Sequence, residues 1–290
     1  IQGRVLSYFA NTAGKAGGLL PAGAPAQAAI PLNEPEREEY PACNTLLLGT
    51  VLADKLALDF GGGDLNGGRG DVIGVVCKPH PLHPGQTLVA LFHDLKEPQG
   101  EADENKKGFV FAVVDVARKK IHRLYRDTIE EDASTRIGDY SLRIDTARYN
   151  LAPGVRALGV RMNIGYSPRC AEGGESNYLT LFVEEGKRLK PILKNQPMSS
   201  WSIIEGSNNC GYGETDFTVD NVEFSLAVSD TSTQGWRDLD LVAHHRIEKV
   251  RAASDTPIEQ QATKQAVGKF RANGKKLWLD TQPARARPTP

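Results

Sequence analysis

The chain has 290 residues, with 35 Lys and Arg against 36 Asp and Glu, so its formal net charge is -1. This balance argues against a nucleic-acid-binding protein, because such proteins carry a clear excess of basic residues. Hydrophobic residues make up 40% of the chain, as in ordinary soluble globular proteins. No apolar run approaches the roughly 18 residues of a membrane-spanning helix. We therefore expect a globular protein with no transmembrane segment and no nucleic-acid partner.

The two signs of charge are unevenly distributed. Residues 241–290 hold 10 Lys and Arg and 4 Asp and Glu, a net of +6, which leaves 25 basic and 32 acidic residues, a net of -7, in the first 240. One interpretation is a solvated basic tail. The other is a basic segment that docks on the acidic body or on an acidic partner.

Four cysteines divide into one pair in each half of the chain. We favour the pairs Cys43–Cys77 and Cys170–Cys210, because each closes a loop of moderate length. The alternative is four free thiols in a cytosolic protein. Disulfides persist in oxidising compartments, and a chain that begins at Ile1 rather than Met fits the removal of a signal peptide. We therefore expect a periplasmic or otherwise extracytoplasmic protein.

Short apolar runs bounded by Gly, Asn, Asp and Pro predict strands through most of the chain. Their spacing favours antiparallel pairing over βαβ units. The apolar run at residues 45–52 suits a buried strand. The acidic stretches 100–107 and 127–132 suit solvated loops. The clearest predicted strands are 71–76, 87–92, 108–115, 178–183 and 219–228.

Two further segments lie near the end of the chain. Residues 256–270 are rich in Glu, Gln, Ala and Lys and predict either a helix or a mobile linker. Residues 268–279 predict a hairpin, because Asn273-Gly274 is a strong two-residue turn signal.

The predicted fold class is mainly β, with little helix. We expect antiparallel strands arranged in two packed β units or in a partial propeller-like arrangement. Pro153-Gly154 separates two strand-rich halves. The expected organisation is a flexible N-terminal segment (1–40), a first β unit (41–150), a second β unit (151–250) and a basic C-terminal segment with a hairpin (251–290).

A glycine-rich stretch at residues 59–71 carries the densest motif. Asp64, Asn66 and Asp71, with Asp59 before them, offer oxygen atoms of the kind that Ca²⁺ prefers. The segment and the strand after it resemble the calcium loops of FG-GAP repeats in extracellular β-propellers, although one acidic ligand is missing and the loop is one residue short. The resemblance implies a calcium site at Asp64, Asn66 and Asp71, and Asp59 is a further candidate ligand. The alternative is a turn whose Asp side chains bond their own backbone.

Catalytic patterns are scarce in this sequence. His80 and His83 could bind zinc if His93 or Asp94 joined them, but three prolines nearby make the stretch extended rather than helical. No Gly-x-Ser-x-Gly or Ser-x-x-Lys motif is present. We therefore predict no catalytic residues and no certain cofactor, with calcium as the candidate.

Aromatic and arginine residues stand in several turn-rich segments. Trp, Tyr and Arg dominate the energetics of many protein interfaces, so these residues are candidates for contact with a protein partner. The alternative is that they cover the core beneath loops. The candidate interface residues are Tyr166, Arg169, Trp201, Tyr212, Trp236 and Arg237.

Three segments, 144–161, 176–193 and 235–239, resemble a run found in periplasmic proteins of Gram-negative bacteria. Some proteins of that kind are immunity partners of type VI secretion effectors. The resemblance implies a periplasmic inhibitor that binds a toxic secreted effector enzyme of the lipase or phospholipase type. The alternatives are a calcium-dependent carbohydrate- or ligand-binding module of the cell envelope and, further off, a periplasmic hydrolase.

Overall fold

A computed structural model describes residues 45–56, 71–96, 102–168, 170–207, 216–250, 257–272 and 277–280. The predicted fold class is confirmed, because these residues form one helix and fourteen mostly antiparallel strands in two sheets. The elements are α1 (Thr45–Leu56), β1 (Val72–Pro79), β2 (Thr87–Lys96), β3 (Ala102–Asp115), β4 (Lys120–Glu130), β5 (Leu142–Ala152), β6 (Val155–Met162), β7 (Gly173–Ser176), β8 (Tyr178–Glu185), β9 (Arg188–Gln196), β10 (Ser199–Glu205), β11 (Phe217–Thr233), β12 (Trp236–Val250), β13 (Pro257–Ala272) and β14 (Leu277–Asp280).

The first sheet has eight strands in the order β1-β2-β3-β4-β9-β8-β6-β5. Two antiparallel blocks, β1 to β4 and β9 to β5, meet where β4 runs parallel to β9. In the described residues these two strands pair only at Leu124 and Arg188. The sheet curls, so that β5 at one end of the order comes close to β1 and β2 at the other.

Strands β2 and β3, the inner two of the β1 to β4 block, are buried on both faces. Leu88, Ala90 and Phe92 point into one core cluster, while the alternate residues Val89 and Leu91 point into another. Strands covered on both faces read as continuous apolar runs, because successive side chains point to opposite sides. This explains why the predicted strands at 87–92 and 108–115 are confirmed.

Helix α1 corrects the prediction of a strand at residues 45–52. Val51, Leu52 and Leu56 are buried together against the outer face of β1 to β3. Lys55 stands in the last turn, where a positive charge is favourable, and its carbonyl accepts a hydrogen bond from Arg126 Nη2 over 2.6 Å. A short apolar run does not by itself distinguish a buried strand from a buried helix.

The second sheet has six strands in the order β14-β13-β12-β11-β10-β7. Leu239, Leu241 and Phe270 in this sheet share a core cluster with Leu181 and Ile192 of the first sheet. This shared cluster joins the two layers.

The prediction of a helix or linker at residues 256–270 is wrong, because residues 257–270 lie in strand β13 and pair with β12. The predicted hairpin is confirmed, since β13 pairs with β14 from Lys269 opposite Asp280 to Ala272 opposite Leu277. The two residues of its turn lie outside the described residues.

Two predicted loops belong largely to strands. Residues 102–107 extend β3, and residues 127–130 extend β4, where Lys106 lies opposite Glu130. The turn at Pro153-Gly154 joins β5 to β6 as a hairpin of the first sheet. The first sheet therefore contains strands from both sides of residue 150. The proposed division into folding units stays a prediction.

The described residues contain no helix with the length and apolarity needed to cross a bilayer.

Candidate functional site

Two loops of the first sheet lie side by side near the edge of the second. Tyr166 N donates to Ser134 O over 2.7 Å, and Arg136 N donates to Ile164 O over 2.8 Å. Thr135 and Gly165 form an isolated antiparallel bridge between these hydrogen bonds. The β4–β5 loop therefore holds the backbone around Tyr166 in place.

The side chain of Tyr166 is half exposed, at 50%. The guanidinium carbon of Arg136 lies 5.6 Å from the centre of its ring, within the range of a cation–π interaction. Such a contact orders two long side chains while half of the Tyr166 side chain stays open to other molecules.

Trp201 stands next to this pair on β10, opposite Gly174 of β7 and Asn221 of β11. Its indole Nε1 donates to Ser167 Oγ over 3.1 Å. The ring packs against a small cluster of Phe217, Val219 and Val250 and stays partly exposed. Because Ser167 follows Tyr166 directly, this bond brings the two aromatic residues into one region, and we call Arg136, Tyr166, Ser167 and Trp201 the aromatic surface.

Two further candidate interface residues, Trp236 and Arg237, lie away from the aromatic surface. Trp236 and Arg237 follow the turn between β11 and β12, where Thr233 lies opposite Trp236. Trp201 lies beside Asn221, and the twelve residues from Asn221 to Thr233 span about 40 Å along a strand. Arg169 and Tyr212 lie outside the described residues.

Trp236 and Arg237 have local partners of their own. Trp236 packs against the cluster that joins the two sheets. Arg237 Nε donates to Ser229 O over 2.9 Å, and its Nη2 lies 3.1 Å from Asp230 Oδ1. These contacts are typical of residues that close a hairpin end.

The predicted calcium site falls mostly beyond the described residues, which exclude Asp59, Asp64 and Asn66. Asp71 is described and buried, and its carbonyl accepts a hydrogen bond from Asp94 N over 2.6 Å. Calcium binding at this loop stays a prediction.

His80 and His83 meet a different partner from those that the sequence suggested. His80 Nε2 lies 3.3 Å from Glu184 Oε1, and His83 Nε2 lies 3.4 Å from Glu184 Oε2. His93 instead bonds the carbonyl of Asp94 through Nδ1. Glu184 stands on β8, 104 residues after His80 along the chain, so spacing could not reveal it.

The geometry of this cluster opposes metal binding at His80. His80 Nδ1 accepts hydrogen bonds from the backbone N–H groups of Leu82 and His83, both at 3.1 Å. A neutral imidazole with Nδ1 as acceptor carries its proton on Nε2, so Nε2 has no lone pair for a metal. That proton points to Glu184. The cluster anchors the β1–β2 turn to β8.

Arg123 forms an ion pair with the same carboxylate, because its Nη1 lies 3.1 Å from Glu184 Oε1. Burial acts to raise the pKa of Glu184, but the hydrogen bond from His80 and the positive charge of Arg123 outweigh it and hold that pKa below its usual value. The carboxylate is therefore an ion-paired anion. A general acid must instead carry a proton that it can donate.

A cavity of about 190 Å³ opens where β4 and β9 diverge. Asp127 on its wall accepts hydrogen bonds from Tyr125 Oη over 2.8 Å and from Lys194 Nζ over 2.6 Å. Burial and the neighbouring carboxylate raise the pKa of Tyr125 far above its usual value, so this phenol stays protonated. The wall offers a neutral phenol and a paired carboxylate rather than an activated nucleophile with its base.

Cys77 and Cys170 are the two cysteines among the described residues, and neither is a free thiol. Cys43 and Cys210 lie outside those residues, so the predicted pairing stays a prediction.

No protein-family model, no curated protein and no solved structure matches this chain. The resemblances to FG-GAP loops and to periplasmic immunity proteins therefore stay predictions.

Proposed function

We propose that the protein is an extracytoplasmic inhibitor that acts by binding another protein. In its most concrete form it is a periplasmic immunity protein that blocks a toxic secreted effector enzyme of the lipase or phospholipase type. The observation that carries the proposal is the aromatic surface, where Arg136 lies over the half-exposed ring of Tyr166 and the next residue, Ser167, accepts a hydrogen bond from Trp201. Tyr, Arg and Trp are the residue types that supply most binding energy in protein interfaces.

The backbone around the aromatic surface supports this proposal. Tyr166 N and Arg136 N are both hydrogen-bonded across the two loops, and Ser167 is tied to Trp201 on a strand. Loops that are already ordered lose little conformational entropy when a partner binds, which leaves more of the contact energy as affinity.

The charge distribution fits an enzyme as the partner. The first 240 residues carry a net charge of -7. An acidic inhibitor is drawn to a basic cleft such as one that holds a phosphate group, and opposite charges raise the association rate at low salt. The association rate should therefore fall as salt is added.

The cysteines support an oxidising compartment. Helix α1 begins two residues after Cys43 and packs in the same cluster as Cys77. These placements favour the first predicted disulfide and, with it, an extracytoplasmic location.

The second predicted disulfide has similar support. Ser207 Oγ, three residues before Cys210, lies 3.4 Å from Glu172 Oε1, two residues after Cys170. The chain therefore brings the neighbours of these two cysteines together.

The test is to mix the purified protein with candidate secreted lipases and phospholipases. We expect a stoichiometric complex by size-exclusion chromatography and loss of the enzyme's activity. Tyr166→Ala should weaken the complex by about 10- to 100-fold. Leu82→Ala is the matched control, since Leu82 is also 50% exposed but lies on the β1–β2 turn. No complex and no inhibition with any candidate would contradict the effector assignment.

A further inference from the structure

The cavity between β4 and β9 opens into the inside of the curled first sheet. On β4, Tyr125 and Ile129 pack against the core cluster inside the curl, and Asp127 lies between them on the same face. On β8, Thr180 lies two residues before Phe182, which belongs to that cluster. A carboxylate and a hydroxyl therefore face a mostly apolar interior. A few polar groups that converge in an apolar pocket are typical of ligand sites, which are common in the mouths of β-barrels.

Strand β9 is bulged at this cavity. Residues 193–196 of β9 span the same length as residues 179–181 of β8, so β9 carries one extra residue there. Asn195, in the bulge, has a φ of 52°, in the left-handed region that few side chains adopt. Backbone strain of this kind is common at ligand sites. Bulges re-aim side chains, and this one places Lys194 and Asn195 on the cavity wall.

Thr180 fixes the orientation of the Asn195 amide. Its Oγ1 accepts a hydrogen bond from Asn195 N over 3.1 Å and donates one to Asn195 Oδ1 over 3.2 Å. Thr180 is 2% exposed, so both bonds are shielded from water. Because Oδ1 binds Thr180, the Nδ2 end of the amide, with its two N–H groups, is the end that can donate to a molecule in the cavity.

The charged groups of the wall favour a neutral ligand. Lys194 Nζ lies 2.6 Å from Asp127 Oδ2, so these two charges largely cancel. The third charged residue of the wall is Glu130, whose carboxylate repels an anion. A cation is repelled in turn by the ammonium group of Lys194.

Hydrogen-bond donors and acceptors meet on this wall. A carboxylate offers about four acceptor positions, and Asp127 uses three of them, for Tyr125 Oη, Lys194 Nζ and the backbone N–H of Thr128. One position is left for a donor from a ligand, while Lys194 and Asn195 supply N–H groups for an acceptor. A hydroxyl group both donates and accepts, so a ligand with neighbouring hydroxyls matches this combination.

The rest of the wall is apolar and the cavity is small. Phe109, Ile129 and Met162 line it, and the rings of Phe109 and Tyr125 lie edge to face with their centres 6.3 Å apart. Such a surface suits the C–H groups of a ligand. The volume of about 190 Å³ is below the roughly 300–1,000 Å³ of sites for drug-sized molecules, so the ligand is a small one.

We propose that this cavity binds a single sugar unit, a neutral ring that carries hydroxyl groups on its edge and C–H groups on its faces. The hydroxyls bond Asp127, Lys194 and Asn195, and the C–H groups pack against Phe109 and Met162. The cavity shares no residue with the aromatic surface, so this site is separate from the proposed contact with a protein partner.

The experiment is a titration of the full chain with glucose, galactose, mannose and N-acetylglucosamine, followed through the amide NMR signals. We expect at least one of these sugars to bind with a Kd of about 1 mM or tighter. Its binding should shift the signals of residues 125–130 and 194–196. Acetate and ethylammonium, a small anion and a small cation, should leave those signals in place.

Asn195→Gly removes the amide but keeps the backbone, because glycine adopts a positive φ without strain. We expect this variant to bind the sugar about tenfold more weakly. Asn177→Gly is the matched control, since Asn177 has a φ of 53° and lies outside the cavity wall. It should bind the sugar as the parent chain does, and circular dichroism verifies that both variants fold.

The titration of the parent chain decides the proposal even where a variant does not fold. No shift at residues 125–130 and 194–196 with any of the four sugars would overturn it. So would binding of acetate or ethylammonium in place of a sugar, or an equal loss of affinity in the two glycine variants.

Discussion

The indole Nε1 of Trp201 donates a hydrogen bond to Ser167 Oγ over 3.1 Å, which ties β10 to the loop that carries Tyr166. This contact passes directly over Gly174. A Cβ atom at that glycine would lie 2.5 Å from Ser167 Oγ and 2.8 Å from Trp201 Nε1. The arrangement of the aromatic surface therefore requires glycine at position 174.

Gly174→Ala should displace either Ser167 or Trp201 and lower the free energy of unfolding by about 1–3 kcal/mol. Chemical denaturation measures the change. Gly138→Ala is the control, since a Cβ there would meet only Ser141 Oγ, at 3.8 Å. Equal stability of the two variants would show that the contact over Gly174 is not tight.

Disulfide formation has a simple signature in the intact mass. With Cys43–Cys77 and Cys170–Cys210 closed, reduction should add about 4 Da, and each bond should stabilise the fold by roughly 3 kcal/mol. Peptide mapping of the unreduced protein identifies the partners. An unchanged mass after reduction, or peptides that join Cys77 to Cys210, would refute this pairing.

His80 and His83 should differ in their effect on stability. His80→Ala removes the acceptor of two backbone N–H groups and the donor to Glu184, so we expect a loss of about 2 kcal/mol in the free energy of unfolding. His83→Ala should cost less than about 1 kcal/mol, because its side chain is 43% exposed.

The same cluster makes a prediction about zinc. Since His80 Nε2 carries a proton, added Zn²⁺ should not raise the melting temperature of the parent protein. A rise with Zn²⁺ that His80→Ala abolishes would show that this nitrogen does bind metal.

Asp145 links stability to pH. Its Oδ2 lies 2.8 Å from Arg161 Nε and accepts a hydrogen bond from Tyr149 Oη, and both ends of the ion pair are largely buried. Burial acts to raise the pKa of Asp145, but Arg161 and the hydrogen bonds outweigh it and lower that pKa below its usual value. A carboxylate whose pKa is lower in the folded state contributes stability above its unfolded pKa of about 4 and loses it as the pH falls further.

Asp145→Asn should therefore reduce the free energy of unfolding by about 3 kcal/mol at neutral pH and flatten its fall below about pH 4. Denaturation curves from neutral to acidic pH measure both effects. Asp230→Asn is the control, because Asp230 pairs with Arg237 in full contact with solvent. An acid profile that Asp145→Asn leaves unchanged would contradict the assignment.

Sequence reasoning recovered the strands whose apolar residues alternate or run continuously, such as β2 and β8, because burial pattern and strand geometry agree there. It was wrong at α1, whose short apolar run fits a helix as well as a strand. It also missed β13, where pairing with β12 overrides the helix-favouring composition.

The candidate site was harder to predict for a different reason. The residue types of Tyr166 and Trp201 suit an interface and marked them as candidates, but Arg136, which lies over the Tyr166 ring, and Gly174, which lies beneath the Trp201 contact, carry no local signal. Glu184 likewise reaches His80 only through the curl of the first sheet. Contacts between residues so far apart follow from topology, which a single sequence does not display.

The proposed function depends on direct contact between the aromatic surface and a protein partner. Its most direct test is photo-cross-linking in the native envelope, with a photoreactive amino acid in place of Tyr166 in one variant and of Leu82 in the other. Both side chains are 50% exposed, so the two positions are matched for access. We expect one discrete protein adduct from position 166 and none from position 82. No adduct at 166, or the same adducts at both positions, would contradict the claim.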